Sequence, residues 1–334
     1  MTTTQTEMKP TESLSVNTEA VADSLYVMIQ RELSPHYSSC SNNYDGYLDP
    51  SDPTMVTADD RERLVNWCYG LVDFCDFSRE TVASAMEMVD RFLSISMPIN
   101  HSADAAARER DEILRDRSKF QLLIIAAVYS SIKINEHVAM SSVFLSDICS
   151  CTYTAMEIED MEHKLLCGLS WRCYSPTAQQ VGYSILSLIL PHVDIPEETW
   201  SFILDEMTYF LELAVQDYYF STQRRTTVAL AAIFNVMSDS RTKEYQQPFE
   251  AFLSVVMECF ELDQTVDQID AARRRLRFIT DANEDSSTVL DNDDDDLSFS
   301  FSARTIRISN KSLFHQTRVP PHGRVRRGEG GVDI

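Results

Sequence analysis

The stretch QLLIIAAVYSSIKINEH (121–137) sets the architecture of this chain. It is apolar on nearly every face for eleven residues and then ends in a lysine, Lys133. A helix that is apolar all round is one that a domain wraps on every side. A cation at its very end is therefore held at a fixed place on the rim, a good position for reading a partner. Upstream, MVDRFLS (88–94) is the other informative stretch. Neither stretch contains a nucleophile–base set, a metal quartet or a glycine-rich phosphate loop. The first inference is that the chain binds something rather than transforming it.

At 334 residues the chain has room for one large domain or two of ordinary size. Hydrophobic residues make up 44% and glycines number only 8, so the core is substantial and helices are favoured over sheet. A formal net charge of -23 argues against a phosphate backbone as main partner, because such binding is powered by clustered Lys and Arg. No apolar run approaches the ~18–20 residues of a membrane span. The first fifteen residues are polar, without a signal-peptide core. The expectation is an intracellular, unanchored protein. Cysteines 40, 68, 75, 149, 151, 167, 173 and 259 are scattered among apolar residues and read as buried free thiols. Cys149 and Cys151 have no second Cys/His pair at ligand spacing, so no metal or other cofactor is expected.

Along the chain, residues 1–20 read as disordered, and 21–37 as a short helix ending before Pro35 and lying on the main body. Helices are then expected over 59–74, from an N-cap at Ser78 to about Ile95, over 119–135 and over 143–149. A capping box at Thr154 and Glu157 opens another, which runs to about Leu169. Residues 96–118 are polar and read as an exposed insertion. After Pro176 the pattern restarts, with candidate helices at 176–190, 197–220, 222–238, 248–261 and 265–278. LAAIF (230–234) in the third of these echoes IAAVY (125–129) in the third of the first set. Alanine pairs inside apolar helices let neighbours approach closely, so a duplicated five-helix unit is the natural reading. The expected architecture is all-α, with a 1–57 tail carrying a short helix, units at 58–174 and 175–280, and a disordered tail at 281–334. That tail is acidic at 291–296 and then basic at 304–327, too poor in apolar area to order itself. Its basic block suits nuclear import, and its acidic, Ser-rich part suits phosphorylation or rapid degradation.

Six short segments together resemble the cyclin family: RERLVNW (61–67), VDRFLS (89–94), QLL (121–123), SIKINE (131–136), TYT (152–154) and ME (161–162). The spacing of Leu122, Lys133 and Glu162 fits the same pattern. The resemblance runs from about Asp59 to Gln180 and more loosely to Phe278. It implies two tandem five-helix cyclin boxes and a fold-supporting ion pair between Arg61 and Asp90. It also implies kinase-contacting residues at Lys133 and Glu162, with Ile134, Glu136, Leu122 and Trp171 at neighbouring interface positions. A lysine supplies donors for carbonyls and a carboxylate accepts from N–H groups, so such a pair clamps a peptide backbone regardless of its side chains. The bland alternative is a surface salt bridge. Leu64, Trp67 and Gln121 match a substrate-docking patch. There, however, Asp60 and Arg63 stand where the pattern is apolar, and Gly70 replaces an acid. No destruction-box element is evident in the N-terminal tail.

The resemblance implies a non-catalytic subunit that activates a cyclin-dependent protein kinase allosterically, in cell-cycle control. Its other expected partners are kinase substrates or inhibitors, and it is expected in nucleus and cytoplasm. A second reading is a transcription-factor-like cyclin-box protein that contacts DNA or polymerase machinery; the acidic charge and the lack of a zinc ribbon count against it. A third, an all-α hydrolase, would need convergent carboxylates or histidines. The histidines at 36, 101, 137, 163, 192, 315 and 322 show no ligand spacing. Neither nucleic acid nor membrane is expected as a partner.

Overall fold

A computed structural model describes residues 10–34, 37, 46–94, 101–262 and 266–287. Among these the regular elements are all helical. The first core is built by α2 (Ala58–Phe74), α3 (Glu80–Ser94), α5 (Arg117–Asn135), α6 (Ser142–Ile148) and α7 (Ala155–Gly168), with α4 (His101–Arg115) added. The second is built by α8 (Ala178–Ile189), α9 (Glu197–Gln216), α10 (Arg225–Val236), α11 (Gln246–Cys259) and α12 (Val266–Ser287), together with α1 (Pro10–Leu33). Short 3-10 turns lie at Tyr218–Thr222 and Lys243–Tyr245.

Local chemistry explains several starts. Thr57 caps α2 and Asp60 returns the bond: Asp60 N–H donates to Thr57 Oγ1 (3.1 Å) and Thr57 N–H to Asp60 Oδ2 (2.9 Å). Thr154 and Glu157 do the same for α7. Asp116 caps α5 by accepting from Ser118 N–H at 2.9 Å. Beyond that cap, every α5 residue from Phe120 to Ile132 except Leu122 is buried. α5 packs on α3, α7, α4 and α2. Its counterpart α10 is wrapped by α8, α9 and α12. The alanine pairs Ala126–Ala127 and Ala231–Ala232 are fully buried, which is what close helix approach requires.

Four expectations are corrected. Residues 10–20 are helical, so α1 is a long helix starting at Pro10 rather than a short one after a disordered stretch; a proline at the first helical position lacks only a donor that would be orphaned anyway. The stretch 96–118 is not a solvated insertion throughout. It contains α4, which turns Arg110, Ile113 and Leu114 inward, while Val56 N–H donates to Leu114 O at 2.8 Å. Its last two residues already belong to α5. The last helix runs on to Ser287, past the expected tail boundary at 281. Among the described cysteines only Cys68 and Cys149 are buried; Cys151, Cys167 and Cys259 are exposed. The charged tail blocks at 291–296 and 304–327, Cys40 and the helix end at Ile95 lie outside the described residues.

α1 docks through Leu25 and Ile29, both in the second core. It also repairs a helix end. α10 has no side-chain cap of its own, and Glu32 of α1 accepts from Thr226 N–H (3.1 Å) and from the Thr226 hydroxyl. Burial raises the Glu32 pKa, with the Thr226 bonds, Arg225 and Arg224 pulling the other way. A carboxyl with a raised folded pKa holds its proton more tightly when folded. Stability therefore falls as pH rises from the ordinary value of 4.5 through the folded one. Glu32→Gln, uncharged throughout, should melt with the wild type at acid pH and at an equal or higher temperature near neutrality. A gap between the two melting curves that does not change with pH would overturn this assignment.

The two cores are joined by polar contacts. Thr177 Oγ1 donates to Glu80 (2.9 Å), Arg225 pairs with Glu87, Arg79 pairs with Glu212, and Leu48 N–H donates to Tyr218 OH (2.8 Å). Elsewhere the fit is tight: a β-carbon on Gly168 would overlap the ring of Phe92. Gly168→Ala should therefore cost about 1–3 kcal/mol by overpacking. Adding Phe92→Leu should recover part of that loss in melting temperature; no loss in the single variant would refute the clash.

Candidate partner-binding site

Lys133 occupies the last turn of α5, where a cation complements the helix dipole. Its ammonium lies 2.5 and 2.6 Å from the two carboxylate oxygens of Glu162 on α7. Ser130, one turn back on α5, donates to Glu162 Oε1 at 2.7 Å. The Lys133 nitrogen also sits 4.1 Å from the centre of the Tyr129 ring. The two partners differ in exposure: the Lys133 side chain keeps 38% of its surface and that of Glu162 only 10%. The carboxylate is thus set into the protein with its lone pairs engaged, while the ammonium faces solvent with donors to spare.

The neighbouring residues divide. Ile134 is exposed beside Lys133. Glu136 turns back into the fold, accepting from Ser78 N–H (3.0 Å) and the Thr81 hydroxyl, so it secures the start of α3. Leu122 is half-buried against the first core. Trp171 is 64% exposed. It is held by an N–H donated to Leu166 O (2.8 Å), and its ring meets His163, the residue after Glu162, edge-on at 6.4 Å. Ser170 and Trp171 both adopt left-handed backbone, φ 52° and 60°. Non-glycine residues there cost about 1–3 kcal/mol each and persist only where the surroundings hold them. An exposed tryptophan on such a turn is presented rather than stored.

Arg61 and Asp90 form a buried ion pair at 3.0 Å. The guanidinium has further acceptors: Tyr47 OH at 3.2 Å, and the carbonyls of Val215 (2.8 Å) and Gln216 (3.2 Å) at the end of α9. Tyr47 OH in turn donates to Asp90 Oδ1 at 2.8 Å. Burial alone would lower the Arg61 pKa, but Asp90 and Tyr47 outweigh it and the net shift is upward, so the charge is secure. One arginine thus ties α2, α3 and α9 together.

The docking patch is more constrained. Leu64 and Trp67 are half-buried against the first core. Gln121 is buried, its Oε1 accepting from Tyr153 OH at 3.0 Å. Asp60 is engaged in the α2 cap and with Arg117 (3.1 Å), and Arg63 pairs with Asp59 (3.0 Å). Sequence reasoning missed Ser130, Tyr129 and Tyr47. Ser130 and Tyr129 sit three and four residues before Lys133, a helical spacing that flags neighbours of its side chain; nothing in the turn-rich stretch singled out Tyr47. No group of three or more His, Cys, Asp or Glu able to hold a metal occurs among the described residues, and no helix among them is long and apolar enough to cross a membrane.

Comparison with known proteins bears on this geometry. The model of the cyclin N-terminal domain matches residues 25–174. The G2/mitotic-specific cyclin C13-1 of Daucus carota is 26% identical over 164 residues, 49% of this chain and 42% of that protein. The match therefore spans less than half of that relative's length. The X-ray structure of a viral cyclin from herpesvirus saimiri aligns with a TM-score of 0.52 at 15% identity, covering 77% of this chain and 97% of the viral one. At that identity it speaks to the fold. A chain in the structure of the CAK complex of Chaetomium thermophilum bound to ATP-gamma-S is more distant. Its TM-score is 0.46 at 15% identity over 81% of this chain and 75% of that one. The domain match takes in the wrapped helix α5, the Arg61–Asp90 pair and both members of the Lys133–Glu162 pair, and the two helical cores follow the fold of the viral protein: residues 25–174 match a cyclin N-terminal domain, set in a cyclin-like all-helical fold.

Proposed function

We propose that this chain is a cyclin, a non-catalytic regulatory subunit that binds a cyclin-dependent protein kinase and activates it in cell-cycle control. The observation that carries the reading is the Lys133–Glu162 pair, assembled from two helices with its cation open to solvent. Lys133 supplies donors for backbone carbonyls at the end of the kinase's mobile C-helix. Glu162, once the ammonium is shared with the partner, accepts from N–H groups there. Ile134 and Trp171 add exposed apolar area beside it.

A kinase aligns ATP only when its β3 lysine is paired with the C-helix glutamate. A surface that binds the inward-rotated helix better than the outward one shifts the kinase toward activity by the difference in affinity. A prefolded bundle suits this task, since little of its binding energy is spent on ordering itself. The test is reconstitution: candidate cyclin-dependent kinases are mixed with the full chain, and complex formation and phosphorylation of a peptide substrate are measured. Binding with a rise in kinase turnover is expected. A chain that binds none of the kinases, or binds without raising turnover, would overturn the proposal.

A further inference from the structure

Helix α3 carries a polar stripe along one face. Glu80, Glu87 and Arg91 stand at i, i+7 and i+11, which a helix places on the same side. Each holds a point on the segment that leads from the first helical set into the second. Glu80 accepts from Thr177 Oγ1 (2.9 Å), Glu87 Oε1 accepts from Ser175 Oγ (3.2 Å), and Arg91 Nη2 donates to the Arg172 carbonyl (2.8 Å). The three anchors run antiparallel to the segment, and the lengths agree. α3 rises about 16 Å between Glu80 and Arg91. Residues 172–177 have no regular secondary structure, and five steps of extended chain cover about 16–18 Å. The connection is therefore drawn out along α3 and pinned at both ends and in the middle.

The Arg91 anchor sits at the Trp171 end. The carbonyl it grips belongs to the residue after Trp171, whose exposed ring stands on the left-handed turn of Ser170 and Trp171. α7 holds the other side of that turn: Leu166 O accepts from Trp171 N–H (2.8 Å) and Leu169 O from Arg172 N–H (3.1 Å). Arg91 is itself fixed. It is only 3% exposed, and its guanidinium lies 5.2 Å from the centre of the Tyr37 ring. Burial pulls its pKa down, while Glu87, one turn before it, pulls the other way. Non-glycine residues keep left-handed backbone only where the surroundings over-determine it. Arg91 supplies the constraint that comes from outside α7.

On the kinase reading of the Lys133–Glu162 face, on which this rests, we propose that Arg91 is the positioning residue for Trp171. Too buried to meet a partner, it acts by holding the Arg172 carbonyl, which fixes the indole in the orientation that meets the kinase. A side chain already held in its bound orientation loses less freedom on binding.

Two readouts on the full chain test this, and the first needs no kinase. Fluorescence anisotropy of Trp171, isolated by subtracting the signal of Trp171→Phe, should decay with the whole molecule in the wild type. Arg91→Met should add a fast component on the nanosecond scale of released loops. Arg91→Gln, still polar but too short to reach the Arg172 carbonyl, should do the same and serves if the Met variant does not fold; Glu87 keeps Arg225 in both. Arg91→Lys, which retains a long donor, should return the decay towards the wild type. In the second readout, Trp171→Ala should weaken kinase binding by about tenfold or more. Arg91→Gln should weaken it by about threefold or more, yet cost nothing further when added to Trp171→Ala, because the two act as one. A general loss of structure would instead weaken binding in both backgrounds alike. A wild type that captures no kinase would count against the kinase reading, with the anisotropy still deciding whether Arg91 holds Trp171. Decays in Arg91→Met and Arg91→Gln that match the wild type, or affinity losses that multiply in the double variant, would overturn the proposal.

Discussion

Replacing Lys133 and Glu162 together by alanine is expected to abolish co-purification with the proposed kinase partner while leaving helical content intact. Hydrogen bonds to charged groups contribute about 1.5–3 kcal/mol each. Loss of two such grips weakens a complex by roughly two to four orders of magnitude, beyond what a pull-down retains. The single variants separate binding from folding. Lys133→Ala takes the counter-ion from the nearly buried Glu162 carboxylate and leaves it the Ser130 hydroxyl. A buried charge stripped of its counter-ion is destabilising, whereas removal of both partners relieves that penalty. The double variant should therefore melt at or above Lys133→Ala, even though it binds no better. Far-UV circular dichroism with a pull-down checks both halves. Unchanged kinase capture by the double variant would contradict the interface.

Arg61→Ala is the largest expected effect on stability, about 3–5 kcal/mol. Total stabilities of domains run to about 5–15 kcal/mol, so the variant should lose between about a fifth and all of its stability and melt well below the wild type. The loss is not confined to Asp90. Tyr47 OH and the α9 carbonyls of Val215 and Gln216 lose their donor as well. Because those carbonyls belong to the second set, the damage should reach both cores. Arg61→Met combined with Asp90→Leu removes the uncompensated carboxylate and should recover part of the loss. It should not recover all of it, since the α9 carbonyls stay without that donor. A melting curve for Arg61→Ala that overlays the wild type would remove Arg61 from its structural role.

How far residues could be read depended on how local their signals were. α5 was legible because a helix apolar all round can only be a wrapped one, and α7 because Thr154 and Glu157 sit three apart. α4 was not. Its sequence, HSADAAARERDEILR, is charged along most of its length, and the buried apolar residues among its described side chains are Ile113 and Leu114 at the C-terminal end. A stripe that thin resembles solvated surface until α5 is seen beneath it. The first half of α1 likewise has no apolar stripe to announce it. At the site, the ends of the Lys133–Glu162 pair were named from family resemblance, whereas the Ser130 hydroxyl that engages the carboxylate emerged from packing. Glu136, named with them, turned out to hold the start of α3.

The order of residues was enough to establish that the chain is helical, that α5 is central, that two similar helical sets succeed one another, and that Lys133 stands at a helix end. Those properties depend on contacts along one helix, within a few residues, and periodicity records them. Packing settled that Arg61 reaches carbonyls some 150 residues away, and that Glu162 is engaged while Lys133 stays open. Such choices are made between helices. Which side chains meet across a core depends on how the helices pack, and no spacing along a single segment encodes that.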